Sequence, residues 1–263
     1  MSSAKRVVLA AANSRALDVY VGYTNLLVGR DKACRLGQYL ARFLAYVVAR
    51  RIARQGKTAG LVAWLATLAK VQQALGTTRK VMRAGKFVNF AQLAARAIAA
   101  AAPGDDEVAW ALGLAQKLGM CVFMAADTLG LLGTTLALVR LRDPAHVARV
   151  AQRGWLCALA AQALLAVYQL RAVSIRAADL RRVRSHIEKT DDAMGDRECA
   201  IEERALAVQR AGLSRQLAAA ALDLTIPLKG LGILPLNEGL VALAGTATSL
   251  MGAQDVLSKV VSA

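Results

Sequence analysis

Apolar positions recur along this chain at helical steps rather than in alternation. Between Gly60 and Gly85, Trp64, Leu68, Val71, Leu75 and Met82 follow one another at steps of four, three, four and seven, one stripe of a 3.6-residue helix. Gln73, Thr77 and Lys80 fall on the far side of that helix and Arg83 on its flank, so the pattern predicts one apolar and one cationic face. Such a helix fits the core of a bundle, or the plane of a membrane interface where its apolar side enters the headgroup–acyl boundary. Gly76 weakens both readings, because glycine costs about 1 kcal/mol in a helix interior.

Further on, the charges thin out. Leu118 to Val139, flanked by Lys117 and Arg140, is interrupted by Asp127 alone. At 1.5 Å per residue it reaches about 33 Å, enough for a hydrocarbon core of about 30 Å. A carboxylate at that depth costs about 3 kcal/mol on insertion scales, so Asp127 is expected to face a helix, a pore or protein rather than lipid. Gly119, Gly130 and Gly133 offer sites of close helix approach without a GxxxG spacing. A second uncharged run, Gly154 to Leu170, lies at the lower length limit for spanning and is bracketed by Arg149, Arg153, Arg171 and Arg176. From Arg176 to Arg210 the chain is charged throughout and reads as a solvated helix or loop outside the bilayer. The last apolar block, from about Leu217, is divided by Pro227, Gly230, Gly232 and Pro235, and residues 236–254 are expected to form a carboxyl-terminal span. There Gly245 and Ser249 form a small-xxx-small pair on which another helix can pack closely.

These segments give four regions: a basic amphipathic region at 1–104, hydrophobic helices at 105–175, a charged segment at 176–210, and a carboxyl-terminal hydrophobic block at 211–263. The fold class is all-α, a multi-helix integral membrane protein. Composition agrees. Of 263 residues, 56% are hydrophobic and only 5% aromatic, with four prolines, and the dominant Ala, Leu, Arg, Gln and Lys are good helix formers.

Charge narrows the partners. The 34 Lys and Arg against 18 Asp and Glu leave a net charge of +16, which calls for nucleic acid, an anionic membrane or an acidic protein. The apolar runs favour the membrane. Between Asp31 and Asp105 no acidic residue occurs while thirteen cations do, so the positive-inside rule places the amino-terminal region on the cytosolic face. A soluble basic protein that binds nucleic acid is the reading set against this one.

Candidate chemistry is sparse. Cys34, Cys121, Cys157 and Cys199 lie far apart with no CxxC pair, and His146 and His186 are too few for a metal site. No phosphate-cradling glycine loop, HExxH or GxSxG is present. No catalytic site, metal or cofactor is expected. Before Asn13 the amino terminus is too short in apolar residues for a secretory signal.

Three stretches carry a resemblance. Gly29 to Leu44 contains Asp31-Lys32-x-x-Arg35-x-x-Gln38-Tyr39; Thr78 to Lys86 contains Arg79-Lys80-x-x-Arg83 followed by Gly85-Lys86; and Phe123 to Leu132 is an apolar run around Asp127. In this order, with Asp223 to Leu228 and Gly239 to Gly252 behind them, the chain resembles the peroxin-11 family of peroxisomal membrane-elongation proteins over most of its length. The resemblance implies a multi-pass protein of the peroxisomal or glycosomal membrane that elongates and proliferates the organelle. It also implies self-association, contact with anionic lipids, and partnership with dynamin-type fission GTPases and related peroxins. It implies that the helix with the Arg-Lys box inserts into one leaflet, using Trp64, Leu68, Val71, Leu75, Arg79, Lys80, Met82, Arg83 and Lys86. Asp31, Lys32, Arg35, Gln38, Tyr39 and Arg42 become a signature surface for oligomerisation or lipid. The plainer alternative is that Asp31 caps a helix start and offsets local cations. A pore or metabolite channel lined by Asp127 is the alternative function. Two departures stand out: Thr128-Leu129-Gly130 lacks the family's aromatic residue, and the acidic stretch at 188–203 has no counterpart in its pattern.

Overall fold

Glycines and caps set the ends of the helices. The computed structural model describes residues 15–100, 106–187 and 193–262, and every regular element among them is helical. They are α1 (Arg15–Asn25), α2 (Leu27–Gln55), α3 (Ala59–Arg83), α4 (Lys86–Ala99), α5 (Glu107–Gly130), α6 (Pro144–Ile187), α7 (Ala193–Gly230) and α8 (Glu238–Ser262). A π-helical turn, Leu131–Thr135, prolongs α5. Gly56 at φ +87° ends α2, and Gly85 at φ +78° separates α3 from α4; both positions suit a residue without a Cβ. The Thr58 hydroxyl accepts from the Leu61 N–H at the start of α3, and the Asp106 carboxylate accepts from the Ala109 N–H at 3.1 Å ahead of α5. Pro144 opens α6, where its missing N–H costs nothing.

The chain forms two units. In the first (1–84, 127–144 and 232–263), α2 is the central helix, running antiparallel to α3 on one side and to α8 on the other. The contact with α8 is made by side chains seated in glycine notches. A Cβ at Gly245 would collide with the Tyr39 ring and one at Gly239 with the Tyr46 ring, and one at Gly252 would crowd Lys32. Those α2 residues are seven apart, so one face of α2 lies against one face of α8. Close approach at Gly245 is thus realised within the chain, by α2.

In the second unit (85–126 and 145–231), α5 crosses α6 backbone to backbone. A Cβ on Gly119 would meet the Gly154 carbonyl and the Ala158 N–H at 2.8 Å, and one on Gly154 would meet the Phe123 N–H at 2.8 Å. Beside the crossing, Phe123 stacks on Trp155 at 5.2 Å between ring centroids, over Met124, Ala126, Ala151 and the partly buried Phe87 and Phe90 of α4. Gly119 serves the close approach foreseen for it, whereas Gly130 faces open space and Gly133 makes room for Leu141.

The carboxyl half of α6 packs antiparallel on α7, so the helix or loop expected at 176–210 is divided between two helices. Val173 and Leu180 meet Cys199, Leu206 and Leu213, with Leu170 and Ala177 alongside. Residues seven apart on both arms make a coiled-coil-like seam. Ion pairs flank it, Arg176 to Glu202 at 2.7 Å and Arg184 to Asp196 and Glu203 at 2.8 Å each. The charged segment is therefore two helical arms around an apolar seam; residues 188–192 lie outside the described residues.

Among the described residues, three helices are long and apolar enough to cross a membrane: Glu107–Thr135, Pro144–Ser185 and Glu238–Ser262. The protein is an all-α membrane protein of the kind the pattern predicts, and the helix that holds the first uncharged run begins well before Leu118 and ends before Val139. The apolar residues 108–112 extend it upstream, and Lys117, which bounded the uncharged run, folds back to donate to the Gly113 carbonyl at 3.1 Å. Downstream the helix unwinds at Leu136, and Ala137 takes φ +52°. The break foreseen at Ala101 to Asp106 lies, apart from Asp106, outside the described residues, as does the amino-terminal stretch 1–14.

Candidate functional site

Helical spacing on α2 places Asp31, Arg35, Gln38, Tyr39 and Arg42 toward its two neighbours, and all of them find partners there. Asp31 is not a cap: the helix begins at Leu27, and Asp31 is buried one turn inside it. Its carboxylate accepts from the Arg79 Nε of α3 at 3.2 Å, while Arg79 Nη1 donates to the Gln38 Oε1 at 2.7 Å. Four residues on, the Arg83 guanidinium meets Asp127 at 2.9 Å, and Lys80 approaches the other Asp127 oxygen at 3.8 Å. Toward α8, Arg35 donates to the Thr248 hydroxyl at 3.2 Å and Arg42 pairs with Glu238 at 2.5 Å. The Tyr39 ring lies within 6 Å of both the Arg35 and Arg42 guanidinium carbons, a cation–π arrangement on each side.

The stretches singled out in the sequence, 48 and 44 residues apart along the chain, thus meet in one polar seam. Its cations are nearly all engaged. Arg79 is 9% exposed, and burial depresses its pKa below the ordinary arginine value; the neighbouring Arg83 adds to this and Asp31 opposes it. Because a guanidinium keeps its proton in proteins, the buried charge must be matched by hydrogen bonds, which Asp31 and Gln38 supply. Asp127, the residue a pore would need open to water, is held by Arg83 and Lys80 instead.

The α3 stripe is rotated from the one expected. Leu68 is buried, and Leu75 and Met82 are half-buried beside it, but Trp64 is 64% exposed and Val71 41%. The packed face is centred on Leu61, Leu65, Leu68, Gln72, Leu75 and Arg79, so Arg79 and Arg83 point inward. Buried acids on neighbouring segments outweigh the cost of turning cations in, and no single-helix pattern contains those acids. Lys86 lies beyond the Gly85 turn and opens α4. The seam also uses Thr248, Glu238 and Gly245, which the sequence reading did not assign to it. The signals available were Glu238 at the head of an apolar helix and the Gly245–Ser249 pair, whose hydroxyl turns back to the Gly245 carbonyl at 2.5 Å.

No group of three or more His, Cys, Asp and Glu able to hold a metal occurs among the described residues. The arrangement joins helices; it contains no activated nucleophile.

The family model for Peroxisomal biogenesis factor 11 (PEX11) matches residues 17–257. The chain belongs to the PEX11 family. It is also 26% identical over 240 residues to the peroxisomal membrane protein PMP27 of Saccharomyces cerevisiae, covering 90% of this chain and 92% of that protein. No solved structure matches the chain. For a PEX11 protein the expected setting is the peroxisomal membrane, and the three apolar helices provide the means to sit in it. The seam then acquires a specific place: it joins α3 to the end of one candidate span at Asp127 and, through α2, to another, α8.

Proposed function

We propose that this PEX11 protein serves peroxisome proliferation and division by bending the membrane it is embedded in, with α3 as the wedge. The observation that supports a wedge is the outer flank of α3, where Trp64, Thr67, Val71, Ala74 and Thr78 form an exposed strip without a charge. A tryptophan at such a position suits the headgroup–acyl boundary. Sinking Trp64 and Val71 there gains about 3 kcal/mol, as each is already partly covered. The polar seam ties α3 to helices that cross the bilayer, so insertion of the flank loads one leaflet at a fixed place. In this reading the basic amino-terminal region faces the cytosol, in keeping with the positive-inside rule, and the protein acts without catalysis. Self-association, anionic lipids, dynamin-type GTPases and related peroxins complete the proposal, on the strength of the family resemblance.

The cellular test is complementation. In cells depleted of this protein, the wild-type chain should restore the number of peroxisomes, and a Trp64→Glu, Val71→Glu chain that reaches the organelle at equal level should leave them few and enlarged. Full restoration by the double variant would overturn the wedge.

A further inference from the structure

We infer that the side of α3 away from Trp64 carries a binding site for a phosphate group. A cavity of about 440 Å³ lies there, bounded by Gln38 of α2, by Gln72, Gln73, Thr77 and Lys80 of α3, and by Thr135 of the π turn. Every polar residue of this wall can donate a hydrogen bond, and none is acidic.

Charge and geometry single out an anion. Asp127 meets Arg83 at 2.9 Å and Lys80 only at 3.8 Å, so Lys80, with 38% of its side chain exposed, keeps ammonium protons to donate to a second anion. The Gln38 amide is oriented: its oxygen accepts from Arg79, which leaves its NH2 against Gly76, where a Cβ would come within 2.8 Å of that nitrogen. Gly76, the residue that weakens α3 as a helix, is what lets this donor reach the cavity wall. Among the described residues, the side chains of Gln72, Gln73, Thr77 and Thr135 have no hydrogen-bond partner within the protein. An ammonium, amide NH2 groups and two hydroxyls around one space are the donor set that a tetrahedral oxyanion accepts from.

The source of the phosphate follows from Thr135. It is the last residue of the candidate span Glu107–Thr135, so in the membrane reading the cavity opens at headgroup depth. A phosphomonoester headgroup is the expected occupant, with free phosphate sharing the same chemistry. Only this choice of source rests on the proposed membrane function; the donor set does not.

The test uses the purified full chain in detergent and in nanodiscs. Probes are inorganic phosphate, soluble short-chain phosphatidic acid, and nanodiscs of phosphatidylcholine with or without phosphatidic acid, read by thermal shift and by native mass spectrometry of retained lipid. Phosphatidic acid should bind and raise the melting temperature. Lys80→Gln should weaken it about tenfold, the loss of one charge-assisted hydrogen bond. Thr77→Val should weaken it less, and Lys80→Arg should retain it. Lys70→Gln, on the same helix but outside the cavity wall, should change nothing. Saturation by inorganic phosphate without retention of phosphatidic acid would support the site and assign it to a free anion. No phosphate binding by the wild type, or equal weakening by Lys70→Gln and Lys80→Gln, would overturn it. Trp64→Glu leaves this assay intact, so failure of the wedge and failure of the site are read separately.

Discussion

Arg79 carries a full charge into a site where its side chain is only 10% exposed, facing an Asp31 that is 13% exposed. Breaking such a pair from one side leaves a bare buried charge, whereas replacing both partners with apolar groups relieves it. Arg79→Met alone should therefore cost about 3 kcal/mol, and Asp31→Leu with Arg79→Met should recover most of that loss. Chemical denaturation of the full chain in detergent measures both; costs that simply add would refute the pairing. The same residues show what could be read beforehand. Asp31, Arg35, Gln38 and Tyr39 could be placed on one helical face from spacing alone, because spacing fixes direction around a helix. That Arg79 faces Asp31, and Arg83 Asp127, could not, since the partners lie more than 40 residues away. Spacing puts Trp64 and Val71 on one stripe with Leu68 and Leu75 but does not say which edge of that stripe is packed: its centre is fixed by what it packs on, and α3 packs on the acids and glutamine of its neighbours as well as on apolar groups.

At the scale of elements, the all-helical character was legible from the sequence, and so was the approximate extent of α3 and of the apolar runs, because uncharged runs and helix-forming residues act locally. Ends were less so where tertiary contacts decide them. Lys117 ended the expected first span, yet a lysine can lie back along its own helix and donate to a carbonyl one turn earlier. The α6–α7 pairing is hidden in the sequence because charges dominate residues 176–210, while the seam consists of single apolar residues seven apart, Cys199, Leu206 and Leu213, easily lost between them. That seam makes a prediction. Leu206 is 6% exposed, so Leu206→Ala should cost about 2–3 kcal/mol and speed amide exchange in both arms. Val208→Ala, at an exposed position two residues away, should stay within about 0.5 kcal/mol. Equal protection of the arms in the two variants would mean that they do not pack as described.

For the whole molecule, three apolar helices, a net charge of +16 and the PEX11 family match describe a peroxisomal membrane protein. The polar seam fixes α3 in place, because an α3 held by Asp31, Gln38 and Asp127 cannot swing away without uncovering charge. Its Arg79 and Arg83 face the seam, which leaves the uncharged outer flank exposed for the proposed insertion. Bending by that flank is the central claim, and tubulation measures it most directly. Purified full-length protein, reconstituted into liposomes containing anionic lipid, is imaged by electron microscopy beside the Trp64→Glu, Val71→Glu chain at matched incorporation and melting temperature. Tubules with the wild type and severalfold fewer with the variant are the predicted result; equal tubulation by both would contradict the account.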